Sequence, residues 1–359
     1  MRRFSLLAFA AVHYNHARPQ QFSRDAWPLE GMVTEGSDIV PVVVIGLGHI
    51  GQAIGRAALE HPELELVAAV DPAHAGRRLD QVLGAGPPLI IAADVSKALG
   101  RARGGVALHA TGSSFEDVLP QLEAAARAGL SVVSTCEELA YPWLRFEALA
   151  EALDALCAEQ DVAVVGVGVN PGFVLDRLPA FLSQVTGPVR HLRALRVQDT
   201  ARRRPGLQKK VGAGLTEEAF HAAADRGELG HVGLSESAML AAIGCGFELD
   251  EVEEELVPLL ADEDLDAAVP VHAGQVAGLH QIARGFHDGT ERVRLELILA
   301  AGADEPRDEV ELDARPPVKL RIQGGLPGDE ATAWSVVNAA ARITLLQGLV
   351  TVLDLPAGR

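Results

Sequence analysis

The chain has 359 residues, 48% of them hydrophobic, and a formal net charge of −18. That length buries a sizeable core and predicts two domains, while the negative charge argues against nucleic acid, whose phosphates need a basic surface. No apolar run approaches the roughly 18–20 residues that span a bilayer, so no membrane partner is expected.

Residues 1–39 do not read as part of the fold. Met1-Arg2-Arg3 and the apolar stretch Phe4 to Val12 imitate a short signal peptide, but His13-Tyr14-Asn15-His16 follows at once. The segment is expected to be a disordered N-terminal extension, with Met32 a candidate initiator. The three cysteines, Cys136, Cys157 and Cys245, are unpatterned. They suggest a reducing, cytoplasmic setting with neither a disulfide framework nor a metal site.

Residues 42–51, Val-Val-Val-Ile-Gly-Leu-Gly-His-Ile-Gly, are a buried-strand run opening into Gly46-x-Gly48-x-x-Gly51. Twenty residues later Asp71 closes a second apolar run, Leu66 to Val70. Glycines permit a tight turn at Gly46, close approach of a pyrophosphate at Gly48, and helix-on-strand packing at Gly51. The helix N-terminus beginning around His49 and Ile50 offers N–H groups to phosphates. Asp71 can accept from a ribose 2′-hydroxyl, which favours NAD. Arg77 and Arg78 close by could accommodate the extra phosphate of NADP.

The alternation of strand and helix continues. The first helix carries Ile50, Ile54, Ala57 and Ala58 on one face. Strand Val106 to Ala110 ends in Thr111-Gly112-Ser113-Ser114, where Ser113 or Ser114 can cap a helix bearing Val118, Leu122 and Ala125. Strand Leu130 to Ser134 runs into Thr135-Cys136-Glu137-Glu138, and Pro142 begins a helix with Leu149, Leu153 and Leu156 inward. Strand Val162 to Val169 ends at Asn170-Pro171-Gly172-Phe173. This is the pattern of an α/β Rossmann fold, a doubly wound parallel sheet over residues 40–174. Ligands sit beyond the carboxyl ends of such strands, where Gly46, Asp71, Thr111, Glu137 and Asn170 all fall.

From 175 to 324 the strands lengthen and alternate, as in Val293, Leu295, Leu297 and Leu299. That predicts an α+β domain with a mixed or antiparallel sheet. Between 248 and 266 lie ten acidic residues and no Lys or Arg, read as a solvated helical face. Gly324-Gly325-Leu326-Pro327-Gly328 breaks the chain. A last helix within 325–359, with Val336, Ala340 and Ile343 inward, is expected to rejoin the Rossmann domain.

Glu137 and Glu138 stand where a nicotinamide ring would lie. A partly desolvated carboxylate there is a candidate base, and strand neighbours alternate faces, so only one can point inward. The residues alone leave open which of Glu137 and Glu138 it is. Thr111 and Gly112 would let backbone approach the nicotinamide ribose, or they form a plain turn. Asn170 could orient substrate or cofactor, with an Asn-Pro-Gly turn the plainer alternative. Arg202-Arg203-Arg204 through Lys209-Lys210 could hold an anionic group or be a solvated loop. His231 is a candidate site residue or a satisfied buried histidine. Cys136 reads as a small core residue rather than a nucleophile.

Ala110 to Ser114, Ser134 to Pro142 and Gly166 to Phe173 together resemble the 2,4-diaminopentanoate dehydrogenase and native amine dehydrogenase family. Gln208 to Gly214, Gly230 to Ser237 and Gly328 to Thr332 extend the resemblance over about residues 40–355. The N-terminal domain is similar to that of dihydrodipicolinate reductases, whose own signatures are absent. Asn338-Ala339-Ala340-Ala341 departs from the family in lacking Ile-Pro after the asparagine. The resemblance implies a homodimer, with residues 175–324 as the substrate-binding and dimerisation domain, and reversible NAD(P)-dependent oxidative deamination of a non-α amine, such as 2,4-diaminopentanoate or a small alkyl amine. The reverse reaction joins ammonia to the matching ketone or aldehyde. It places the base at Glu137, with Glu138 as the fallback, and lines the pocket with Asn170, Phe173, Arg196 and His231. The cofactor set is Gly46, Gly48, His49, Ile50, Gly51, Asp71, Thr111, Gly112 and Asn170. Two other readings of the residues stand beside it, a carbonyl or imine reductase and a non-catalytic dinucleotide sensor.

Overall fold

The computed structural model describes residues 2–5 and 39–358. Its strands are β1 (Arg2–Ser5), β2 (Val40–Ile45), β3 (Leu64–Val70), β4 (Val106–His109), β5 (Ser131–Ser134), β6 (Ala163–Gly166) and β7 (His191–Asp199). They continue as β8 (Glu251–Leu260), β9 (Val276–His287), β10 (Thr290–Ala300), β11 (Arg307–Asp313), β12 (Val318–Gln323) and β13 (Gly348–Val350). The helices are α1 (His49–Glu60), α2 (Leu79–Leu83), α3 (Phe115–Arg127), α4 (Trp143–Gln160) and α5 (Arg177–Ser183). After them come α6 (Pro205–Lys210), α7 (Glu217–Asp225), α8 (Leu234–Cys245) and α9 (Gly328–Ile343). Among the described residues no helix is long and apolar enough to cross a membrane.

Two sheets organise these elements. The first is wholly parallel, in the order β13-β6-β5-β4-β2-β3. Its strands are apolar runs because both faces are covered. α1 and α9 cover one face, burying Ile54, Ala57, Val336 and Ile343 with Val42 and Val44. α3 and α4 cover the other, burying Val118, Leu122, Leu153 and Leu156 with Val43 and Val132. α9 packs against α1, so the chain returns to this sheet after building the second one.

The second sheet has the order β1-β8-β9-β10-β7-β11-β12. It is mixed: β7 and β10 are parallel and the other neighbours antiparallel. Alternation along β10 sends Val293 and Leu295 into a core under α8, and Leu297 and Leu299 into a smaller cluster with Val211 and Phe220.

Three expectations are corrected. The acidic stretch is strand β8 rather than a helical face. It pairs antiparallel with β9 along its length, and Arg284 on β9 reaches Glu255 at 3.3 Å. Density of charge alone carries no period. Ser114 stands at the N-cap of α3 but makes no side-chain cap bond, and the Glu138 carboxylate accepts from Phe115 N instead. Finally, Arg2–Ser5, inside the segment read as an extension, pair antiparallel with Glu251–Glu254. The β8 edge offers unpaired backbone groups, and a short strand satisfies them. The remainder of that segment, with Met32, lies outside the described residues.

Removing residues 1–31 therefore takes one four-residue edge strand from the fold. The shortened protein should fold with a melting temperature lowered by no more than about 4 °C, the scale of 1 kcal/mol in a chain of this size. Thermal unfolding followed by circular dichroism measures this. A shortened chain that fails to fold would show that the segment contributes core packing.

Candidate functional site

The structure separates the roles of the three glycines. Gly46 has φ +89°, and a Cβ there would stand 2.6 Å from the Ala110 carbonyl oxygen. A Cβ on Gly51 would stand 1.8 Å from the Gly46 oxygen. Protein packing alone demands both. Gly48 is different: its φ is −65°, and a Cβ there would meet nothing within 4 Å. The space it leaves lies over the N-terminus of α1, which has no side-chain cap and no acid in its first turn. A pyrophosphate fits that space, met by free N–H groups and the positive end of the helix.

Asp71 fastens this loop. Its Oδ2 accepts from Leu47 N at 2.7 Å, and its Oδ1 from Ala73 N and His74 N at 2.7 and 3.2 Å. Three of the roughly four acceptor positions of a carboxylate are thereby occupied. Arg78 is turned onto Asp80, and Arg77 onto His74 at 3.1 Å.

Gly48, His49 and Ile50 open onto a cavity of about 580 Å³ between the two sheets. The cavity gathers most of the sequence candidates: Thr111, Gly112, Glu137, Asn170, Arg196 and His231. The two glutamates diverge. Glu138 is held at the start of α3, whereas Glu137 lines the cavity with no hydrogen-bonding partner among the described residues. Gly233, with φ +97°, allows this: a Cβ there would crowd Pro171 at 2.8 Å and the Glu137 Cβ at 3.1 Å. Both amide atoms of Asn170 are buried without a partner. Buried polar atoms are costly unless paired, so this amide is set to receive a ligand's donor and acceptor. His231 donates from Nε2 to the Asn170 carbonyl at 2.7 Å, and its backbone N–H donates to Gln281.

Two candidates stand differently from expectation. Arg196 borders the cavity but is 4% exposed, with both oxygens of Asp308 at 2.8 Å and the Leu326 carbonyl at 2.6 Å. A guanidinium so engaged holds β7 to β11 and the start of α9 more than it offers donors to a ligand. Phe173 does not line this cavity. It lines a second one, of about 470 Å³, with Trp334 and Leu355. Gly172, at φ +123°, turns the chain between Pro171 and Phe173 and directs the ring away. Cys136 is buried, donates from Sγ to the Ser113 carbonyl at 3.2 Å, and has its pKa pushed up to about 12 by that burial. It remains a thiol.

Several contributors escaped sequence reasoning. Asp329 bridges the cavity mouth, with His49 at 3.1 Å and Arg203 at 3.0 Å. Thr332 Oγ1 accepts from Val169 N at 3.3 Å. Asp176, wholly buried, accepts from Gly172 N and Ser237 Oγ at 2.8 Å each. Glu236, 1% exposed, takes Arg145 Nε at 2.6 Å. Apart from Gly172, four residues before Asp176, the partners named lie far off in sequence, so no local spacing marks these residues. Among the described residues no group of His, Cys, Asp and Glu could hold a metal ion.

A parallel Rossmann sheet, an uncapped helix over an open glycine and a cavity roofed by a second sheet define a two-domain α/β protein of the dinucleotide-binding type. The comparisons narrow this. The family described as 2,4-diaminopentanoate dehydrogenase C-terminal domain matches residues 173–359, half of the chain, and the chain belongs to that family. The 2,4-diaminopentanoate dehydrogenase of Acetoanaerobium sticklandii is 26% identical over 343 residues, covering 89% of this chain and 94% of that protein. The structure of an amine dehydrogenase from Mycobacterium smegmatis superposes with a TM-score of 0.78 at 22% identity, over 90% of this chain and 97% of that one. It shows that the whole two-sheet arrangement is shared. UDP-N-acetylglucosamine 3-dehydrogenase from Acidithiobacillus ferrooxidans superposes more loosely, with a TM-score of 0.50 at 15% identity over 87% and 92% of the two chains.

Glu236 gives the site a pH signature. Burial raises its pKa to about 7 in the folded chain against an ordinary 4.5, despite Arg145. A folded state that holds this proton more tightly than the unfolded one loses stability as pH rises through that window. Glu236→Gln cannot ionise. Its melting temperature relative to wild type should rise between pH 4.5 and 7 and level off above, as read by calorimetry across pH. A constant difference would show that Glu236 is ionised throughout.

Proposed function

We propose that this chain is an NAD(P)-dependent amine dehydrogenase that interconverts a non-α amine with its ketone or aldehyde and ammonia. The observation that carries the reading is Glu137, a carboxylate without a partner among the described residues, beyond the end of a central parallel strand, in the cavity that the Gly48 loop also borders. The family and the curated relative agree with it.

The nicotinamide, when bound, supplies the hydride acceptor or donor at the carbon that bears the nitrogen. The chain's own residues handle protons and orientation. Glu137 takes a proton from ammonium or from the carbinolamine and stabilises the positive iminium, an effect that water exclusion strengthens. Asn170 offers one donor and one acceptor. His231 fixes the Asn170 backbone through its Nε2–H. Arg204 and Lys210 border the same cavity and supply positive charge for an anionic part of substrate or cofactor. A homodimer and a cytoplasmic setting belong to the same reading.

Glu137→Gln should keep NADH affinity and lose about 10²–10⁴-fold in amination rate, the scale of a positioned acid–base group. Calorimetry and stopped-flow absorbance with a ketone panel and ammonia read the two separately. Near-wild-type amination in the variant would refute the role. NADH oxidation by a ketone without ammonia would make the protein a carbonyl reductase.

The cofactor proposed is NAD in preference to NADP. Asp71 repels a 2′-phosphate, and Arg78 is occupied by Asp80. Asp71→Asn removes the charge and keeps one carbonyl oxygen to accept from the loop, at the loss of the second acceptor. It should move the ratio of catalytic efficiencies toward NADP by about tenfold, and an unchanged ratio would place Asp71 away from the adenosine ribose.

A further inference from the structure

Beneath the cavity, between the ends of β4 and β5, lies a polar group with no part in the mechanism above. His109 is completely buried. Its Nδ1 is 2.8 Å from Ser134 Oγ, and its Nε2 is 2.8 Å from Thr111 Oγ1 and 3.3 Å from Gln121 Oε1. Ser134 Oγ also accepts from Cys136 N at 3.1 Å. This one ring therefore ties together the two loops that carry Thr111 and Glu137.

The protons of the group follow from its chemistry. Burial lowers the His109 pKa to about 4, so at neutral pH the ring carries a single N–H. Gln121 Oε1 is an acceptor only and faces Nε2, so the hydrogen sits on Nε2. Nδ1 is then bare and accepts from the Ser134 hydroxyl. Thr111 Oγ1, against the same Nε2–H, is an acceptor toward the ring. Its own hydrogen has to point elsewhere, and Thr111 borders the cavity.

We infer that Thr111 is a hydrogen-bond donor of fixed polarity into the cavity, toward an acceptor oxygen on the nicotinamide half of the cofactor, and that Gln121 acting through His109 sets that polarity. Thr111 touches the ligand. His109 and Gln121 are positioning residues. With the other tautomer, Thr111 would donate to the ring and turn only lone pairs to the ligand. Gln121 does not border the cavity, so its influence on binding has this one route. The inference rests on the dinucleotide reading above.

The test combines spectroscopy with binding. Nitrogen-15 chemical shifts of His109 in the ligand-free wild-type protein should report the Nε2–H tautomer; an Nδ1–H tautomer overturns the inference without reference to any cofactor. Calorimetric NADH affinity should fall about 5–20-fold in Thr111→Val and by a similar factor in Gln121→Leu. Gln121→Glu, which keeps the acceptor, should restore it to within about twofold of wild type. The Thr111→Val, Gln121→Leu double variant should bind no more than about twofold more weakly than Thr111→Val alone, since both remove one interaction. Affinity for ADP, which lacks the nicotinamide half, should stay constant throughout. Additive losses, no rescue by Gln121→Glu, or a parallel fall in ADP affinity would each show that the group is only a structural brace. A wild-type protein that binds ADP but neither NADH nor NADPH would refute the cofactor reading, while the tautomer measurement would still judge the proton arrangement.

Discussion

The first turn of α8 is the constraint on which the rest of the structure depends. Ser235, Glu236 and Ser237 are consecutive, polar and at most 1% exposed. A helix turns its residues by about 100° each, so three neighbours point in three directions. Ser235 donates to Glu254 on β8, Glu236 accepts from Arg145 on α4, and Ser237 donates to Asp176 after β6. One turn thus joins the mixed sheet, the Rossmann domain and the loop carrying Asn170. An uncompensated buried charge costs about 3–5 kcal/mol, so these partners cannot drift independently. Gly233, just before the turn, packs against Pro171 and Glu137. The placement of the candidate base is therefore coupled to the junction between the two domains.

The glycine loop depends on a comparable fastening. Gly46 and Gly51 serve packing, and Gly48 serves the space above the helix. Asp71 ties that loop to the end of β3 through Leu47 N. A residue usually considered for its contact with ribose here also preorganises the phosphate cradle. Substitutions at Asp71 consequently act on the pyrophosphate as well as on the sugar.

Much of this was legible in the sequence for an identifiable reason. The Rossmann half is written in local patterns: apolar runs for strands buried on both faces, glycines at fixed offsets, helical stripes such as Ile54, Ala57 and Ala58. The second sheet was legible where one face is buried, as along Val293 to Leu299. It failed at β8, where the consecutive acids Glu253, Glu254 and Glu255 leave no clean alternation to read. At the site, strand ends pointed to Glu137, Thr111 and Asn170. Nothing local distinguished Glu137 from Glu138, because the difference is a backbone N–H at Phe115, 23 residues away. Arg196 looked like a ligand group for the same reason. Its partner Asp308 is 112 residues distant, on a strand whose register brings the two side by side.

The cavity's chemistry follows from which polar groups the protein has already satisfied. Arg196 is paired, and His231 Nε2 is occupied by the Asn170 carbonyl. Cys136 is locked as a thiol. Glu137 and the Asn170 amide remain, with the charges of Arg204 and Lys210 at the periphery. A neutral ligand would leave Glu137 unpaired in a cavity that closes over it. A ligand that brings positive charge or an ionisable N–H to that point compensates it, as an ammonium or iminium nitrogen does and a plain carbonyl does not. On the proposed function, nitrogen chemistry is thus favoured by a carboxylate that has no partner among the described residues.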